Sequence, residues 1–293
     1  MFEGVFPPIP TPFVDGEVAH DKLSENIVKW NQTGPAGYVV LGSNGENIYL
    51  SEAEKRAVIV TAREAIPSNK LLIVGTGRES TKLTIESTWT AADLGADGVL
   101  IVTPSYYKGQ MTSEALYRHY ISVAEASPIP IVIYNVPKFT GLNIAATLVA
   151  RLAEHPKIVG IKDSAGDIDQ LIQIIRLAPQ DFEVLVGNAP AYYSALGVGA
   201  MGAILAVANV APRECVAIKE LFDQGKLDEA RALHFKLVPV GRAVTSQFGI
   251  GGLKAALDLL DYYGGNPRSP LFYPSPEEVE EIHCILRQAE LPA

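Results

Sequence analysis

Eight short apolar runs punctuate the chain: Val5–Ile9, Tyr38–Leu41, Leu71–Val74, Val99–Val102, Ile131–Tyr134, Ile158–Ile161, Val184–Val186 and Ala203–Val207. Each is continuous rather than alternating, as expected of strands buried on both faces of a parallel sheet. The stretches between them carry helix signals. Ser51-Glu52-Ala53-Glu54 reads as a capping box. Leu116, Tyr120 and Val123 fall at i, i+4 and i+7 and make one apolar stripe. Eight strand–helix units at about 30 residues each match a TIM (β/α)8 barrel. The competing doubly wound sheet needs fewer strands and carries a glycine-rich fingerprint after its first strand. Here the first strand runs into Pro7-Pro8-Ile9-Pro10-Thr11-Pro12, and Gly75-Thr76-Gly77 lacks the third glycine. The expected fold is α/β: a (β/α)8 barrel over 1–223 with a C-terminal helical appendage over 224–293. In that appendage Leu253, Ala256, Leu257 and Leu260 form one stripe, and Val279, Ile282 and Leu286 another.

Composition narrows the function. At 293 residues the chain has room for one barrel of roughly 250 residues. Apolar residues make up 48% and charged residues 19%, which excludes a disordered chain. Lysine plus arginine number 24 against 33 aspartate plus glutamate, a formal charge of −9 with no basic run. Such a surface has no cationic face to displace counterions, so no nucleic-acid partner is expected. No run approaches 18 apolar residues, and no targeting segment is visible, so no membrane partner is expected and the location expected is cytoplasmic. Cys215 and Cys284 lie far apart with no CxxC, and read as reduced thiols.

In a barrel of this kind the active site lies at the C-terminal ends of the strands. Three segments there carry chemistry. Ile158-Val159-Gly160-Ile161 ends in Lys162. A lysine closing an apolar strand is disfavoured as an ammonium, which makes its amine a nucleophile. The alternative is an ion pair with Asp163 or Glu46. Tyr134 ends the preceding strand, and neighbouring strands lie about 4.8 Å apart. Its phenol is placed to move protons beside that amine, or else is an ordinary core tyrosine. Gly42-Ser43-Asn44-Gly45-Glu46 ends the second strand, where two glycines expose backbone amides beside a hydroxyl. That suits a carboxylate or phosphate, or simply caps the next helix. The five histidines form no HxH or HExxH pattern and no GxSxG is present, so no metal and no cofactor is expected.

The three motifs, with Thr103-Pro104-Ser105-Tyr106-Tyr107 after the fourth strand, resemble the dihydrodipicolinate synthase / N-acetylneuraminate lyase family over essentially the whole chain. The resemblance implies a lysine that forms a Schiff base with pyruvate or another 2-oxo acid. Carried over, Lys162 is that lysine and Tyr134 the proton shuttle. Ser43 and Asn44 hold the substrate carboxylate, Ser43 also being placed to hydrogen-bond Tyr134. Tyr106, or Tyr107 beside it, matches the tyrosine that reaches a neighbouring subunit. Ser164, Gly187, Asn188 and Ile204 complete the expected substrate-binding set. A homotetramer, as a dimer of dimers, is implied too.

Two departures bear on the substrate. The synthase branch has an arginine two residues past the Tyr134-Asn135-Val136-Pro137 motif to grip a carboxylate. Here that position is Phe139, which has no bidentate fork. The sialic-acid lyase branch has acidic residues where Gly187-Asn188-Ala189-Pro190 stands. The stretch Phe248–Lys254 and Tyr262-Tyr263-Gly264-Gly265 look most like the 4-hydroxy-2-oxoglutarate aldolase branch. The expected reaction is therefore cleavage of 4-hydroxy-2-oxoglutarate to pyruvate and glyoxylate. The alternatives are a 2-oxo-3-deoxysugar acid aldolase or dehydratase, dihydrodipicolinate synthase, and a non-catalytic 2-oxo-acid sensor.

Overall fold

A computed structural model describes residues 2–293. Eight parallel strands form the sheet: β1 (Gly4–Val5), β2 (Gly37–Val40), β3 (Leu71–Gly75), β4 (Gly98–Val102), β5 (Ile131–Asn135), β6 (Ile158–Asp163), β7 (Glu183–Val186) and β8 (Gly202–Ala203). Consecutive strands pair from β2 to β8, and β8 pairs with β1. A single bridge, Pro8 to Val39, brings β1 back to β2, with the Val39 N–H donating to Pro7 O at 3.0 Å. The first strand is thus shorter than its apolar run suggests. Proline has no N–H to give a ladder, and Pro7, Pro8 and Pro10 leave this seam sparsely bonded. The last run is also cut short, because the chain turns into a 3₁₀ segment at Ala206–Asn209.

Helices alternate with the strands: α1 (His20–Trp30), α2 (Glu52–Ala65), α3 (Thr81–Asp93), α4 (Ser113–Ala126), α5 (Ala146–Ala153), α6 (Ile168–Leu177), α7 (Tyr192–Gly197) and α8 (Pro212–Asp223). The capping box at Ser51 is formed, with its hydroxyl on the Glu54 N–H and the Glu54 carboxylate on the Ser51 N–H. Beyond the barrel follow α9 (Leu227–Arg242), a π-helical turn at Ala243–Gln247, α10 (Gly249–Leu259) and α11 (Pro276–Gln288). A small hairpin, Phe13–Val14 with Glu17–Val18, turns on Asp15-Gly16, both at positive φ. An Asp-Gly pair suits such a turn because both central residues need the left-handed region.

Strand alternation divides the core in two. Phe2, Phe6, Val39, Ile73, Leu100, Val132, Leu185 and Ile204 fill the lumen. Their strand neighbours, such as Val40, Val74, Ile101, Ile133 and Ile161, pack outward against the helices. The lumen is therefore a solid plug, and chemistry is confined to its upper rim. Cys215 is buried in α8 and Cys284 is exposed on α11; both are free thiols. Among the described residues, no helix is long and apolar enough to cross a membrane.

Candidate active site

Tyr134 and Lys162 are direct register partners on β5 and β6. Paired residues of a parallel ladder face the same side, here the lumen. Lys162 is 5% exposed, and its Nζ lies 4.2 Å from the centre of the Tyr134 ring. Among the described residues the amine has no hydrogen-bond or ion-pair partner. Neither ion pair considered from the sequence forms. Asp163 follows Lys162 on the strand, so its side chain faces the opposite side of the sheet. Its carboxylate accepts from Asn135 Nδ2 (2.7 Å), Gln170 Nε2 (2.9 Å) and the Ala165 N–H (3.0 Å). Burial raises the Asp163 carboxyl above the usual range, and these three donors oppose the shift. Glu46 is paired elsewhere, with Lys254.

The turn after β2 is one 3₁₀ turn, Ser43–Gly45. Leu41 and Glu46 bracket it at φ 56° and 52°, both in the left-handed region that side-chain-bearing residues seldom adopt. Such conformations persist only where the surroundings over-determine them, and they gather at functional sites. Thr11 Oγ1 donates to Gly45 O at 2.7 Å, tying the turn to the segment after β1.

A cavity of about 650 Å³ opens beside this turn, walled by Ser43, Glu46, Arg78, Tyr134, Phe139 and Leu271 among others. It brings Ser43 and Tyr134 to one space, with Lys162 against the Tyr134 ring. No hydrogen bond joins Ser43 to Tyr134. Asn44 turns away, its amide donating to Pro8 O at 3.2 Å. Ser164 Oγ is buried without a partner. A Cβ on Gly187 would stand 1.9 Å from that oxygen and 2.9 Å from Lys162 Cε, so Gly187 shapes the space around the amine. The Asn188 side chain accepts from the Ala191 N–H at 3.2 Å, as a local cap. Ile204 is fully buried in the lumen. Tyr106 and Tyr107 point outward, 78% and 65% exposed, stacked edge to face.

Several walls escaped the sequence reading. Lys55 and Arg78 line the cavity and share Glu52, at 2.7 and 3.3 Å. Thr103, from the motif after the fourth strand, lies on the same wall, and Ile250, from the Phe248–Lys254 stretch, closes it from the C-terminal region. Lys55 and Arg78 sit in a helix and a loop whose approach to the rim no local pattern announces. Phe139 faces the cavity mouth, while Lys138 before it reaches Thr245 O at 3.4 Å instead.

The comparisons agree with this architecture. The model of the dihydrodipicolinate synthetase family matches residues 1–289. A 4-hydroxy-tetrahydrodipicolinate synthase of Thermodesulfovibrio yellowstonii is 37% identical over 292 residues, covering 99% of each chain. The solved dihydrodipicolinate synthase of Thermotoga maritima superposes with a TM-score of 0.94 at 34% identity, covering 99% of both chains. The chloride-inhibited synthase of Acinetobacter baumannii, solved with pyruvate, gives a TM-score of 0.94 at 31% identity, covering 99% of this chain and 100% of that one. A nearly closed parallel barrel, a lysine at its rim and a match over nearly the full length converge on one conclusion: the chain belongs to the dihydrodipicolinate synthetase family and is an enzyme of the class I, lysine Schiff-base aldolase type.

Proposed function

We propose that Lys162 forms an imine with pyruvate and that the enzyme makes or breaks the bond between pyruvate C3 and an aldehyde carbon. The observation that carries this is the register pair of Tyr134 with an unpartnered, buried Lys162 at the rim. The amine attacks the C2 ketone, water leaves, and the protonated imine acts as an electron sink. Loss of a C3 proton gives an enamine, whose C3 adds to the aldehyde carbon; the new alkoxide takes a proton from Tyr134. Cleavage is the same sequence reversed, with the Tyr134 phenolate removing the hydroxyl proton. Ser43 and the amides of its turn hold the C1 carboxylate and align the reacting bond with the imine.

Two readings differ in the aldehyde. The relatives share the name 4-hydroxy-tetrahydrodipicolinate synthase, which supports the condensation reading over the cleavage expected from sequence. Phe139, not an arginine, lines the cavity, so neither the carboxylate of aspartate semialdehyde nor the distal carboxylate of 4-hydroxy-2-oxoglutarate has a bidentate partner at that position. Pyruvate is the partner in both.

Borohydride reduction in the presence of pyruvate, followed by peptide mass mapping, tests the common core. The expected adduct is on Lys162; an adduct elsewhere, or none, overturns the reading. Tyr134→Phe is expected to keep the adduct and to lose on the order of 10²-fold or more in turnover. Parallel assays with aspartate semialdehyde plus pyruvate and with 4-hydroxy-2-oxoglutarate then separate the two reactions.

A further inference from the structure

Directly after the Ser43–Gly45 turn, at Glu46, stands an ion pair that the imine chemistry does not use. Lys254, on α10, has its Nζ 2.7 Å from Glu46 Oε1, with side chains 0% and 1% exposed. The same ammonium donates to Asn266 O at 3.2 Å and lies 4.4 Å over the Phe13 ring. The second Glu46 oxygen accepts the Arg268 N–H at 2.8 Å. Burial pulls the Lys254 ammonium below its ordinary range, and Glu46 opposes that shift.

The position of Glu46 gives the pair a task. Glu46 directly follows the turn, and its N–H bonds back to Ser43 O at 3.2 Å. Its backbone is left-handed, at φ 52° and ψ 34°. A glutamate relaxes out of that region unless its side chain is held. Here it is held by Lys254 and by the Arg268 amide, both in the C-terminal region. If Glu46 relaxed, the amides of residues 43–45 would turn with it, because only short hydrogen-bonded links separate them.

We propose that Lys254 and Glu46 are positioning residues: their buried pair fixes the Ser43–Gly45 turn so that its amides meet the carboxylate of the 2-oxo acid. This rests on the reading of that turn as the carboxylate site. It assigns the C-terminal appendage a part in substrate affinity, through a contact made from outside the reacting groups.

The test uses Lys254→Met and the double variant Glu46→Gln/Lys254→Met, with two readouts. One is the pyruvate concentration giving half-maximal borohydride trapping at Lys162; the other is the melting temperature. Lys254→Met is expected to melt lower and to need about tenfold more pyruvate, equivalent to about 1.4 kcal/mol of lost affinity. The double variant leaves no unpaired buried charge, so it regains melting temperature. It is expected to keep the raised pyruvate requirement, because the tie on the turn is still cut. Should Lys254→Met fail to fold, the double variant alone carries the comparison. An unchanged pyruvate requirement in the double variant makes the pair a stability feature only and overturns the proposal. Absence of a Lys162 adduct in the wild type is a different result: it removes the imine reading itself, and this proposal with it.

Discussion

At the scale of single residues, direction matters as much as identity. Lys162 and Asp163 are neighbours in sequence, yet one faces the lumen and the other a polar network of Asn135, Asn143 and Gln170. Gly187 shows the same economy of space, since a methyl group there would overlap Ser164 and press on the Lys162 stem. Gly187→Ala is therefore expected to stay folded while its amine is displaced. A shift of the order of 1 Å costs roughly 10²-fold in such steps, and the pyruvate adduct should form that much more slowly. A circular-dichroism melt alongside timed borohydride trapping checks this; trapping at the wild-type rate would show that Gly187 does not set the lysine's place. The rim positions of Tyr134 and Lys162 were legible in the sequence because one ends an apolar run and the other directly follows one, and that of Ser43 because only Gly42 separates it from Leu41. The outward turn of Asn44 and the pairing of Glu46 with Lys254 were not. Contacts between distant segments leave no local trace in a one-dimensional pattern.

At the scale of elements, helix termini were easier to read than strand lengths. The capping box of α2 follows from four consecutive residues, whereas the short β1 and β8 depend on what their backbones meet. The Asp15-Gly16 hairpin escaped that reading, because its strands are two residues each and make no apolar run. The α2 cap also has a second attachment. Arg268 bonds the Glu54 carboxylate through both Nη1 (3.1 Å) and Nη2 (2.6 Å), and chiefly this holds Glu54 down at about 2 from an ordinary 4.5. A carboxyl depressed on folding contributes stability above its unfolded value and loses it as pH falls toward the folded one. The difference in melting temperature between wild type and Glu54→Gln should be constant at neutral pH. It should shrink as pH drops below about 4.5 and close near 2. A gap that persists unchanged to pH 2 would separate Arg268 from the charge of Glu54.

At the scale of the whole molecule, the barrel was foreseeable from the count of apolar runs, and its C-terminal helices from their stripes. The surroundings of the site were not, because the cavity takes walls from the loops and helices of several units and from the C-terminal region. A net charge of −9 opposes at long range the anionic 2-oxo acid proposed above, so attraction for such a substrate has to be local. Three large apolar or aromatic side chains also stand in solvent in the loops after β2 and β4. Ile48, Tyr106 and Tyr107 are 80%, 78% and 65% exposed, and Ile48 belongs to the cavity wall. We expect a second copy to cover them. Light scattering should give a mass above the 31.5 kDa of one chain, and Tyr106→Asp should lower both mass and turnover. A fully active monomer would refute that expectation. The two cysteines offer a way to watch such an assembly. Burial pushes the Cys215 thiol far above its ordinary range, while Cys284 stands on the outer surface of the last helix. A maleimide dye should therefore attach once per chain, giving a spectroscopic ruler between copies without any engineered thiol.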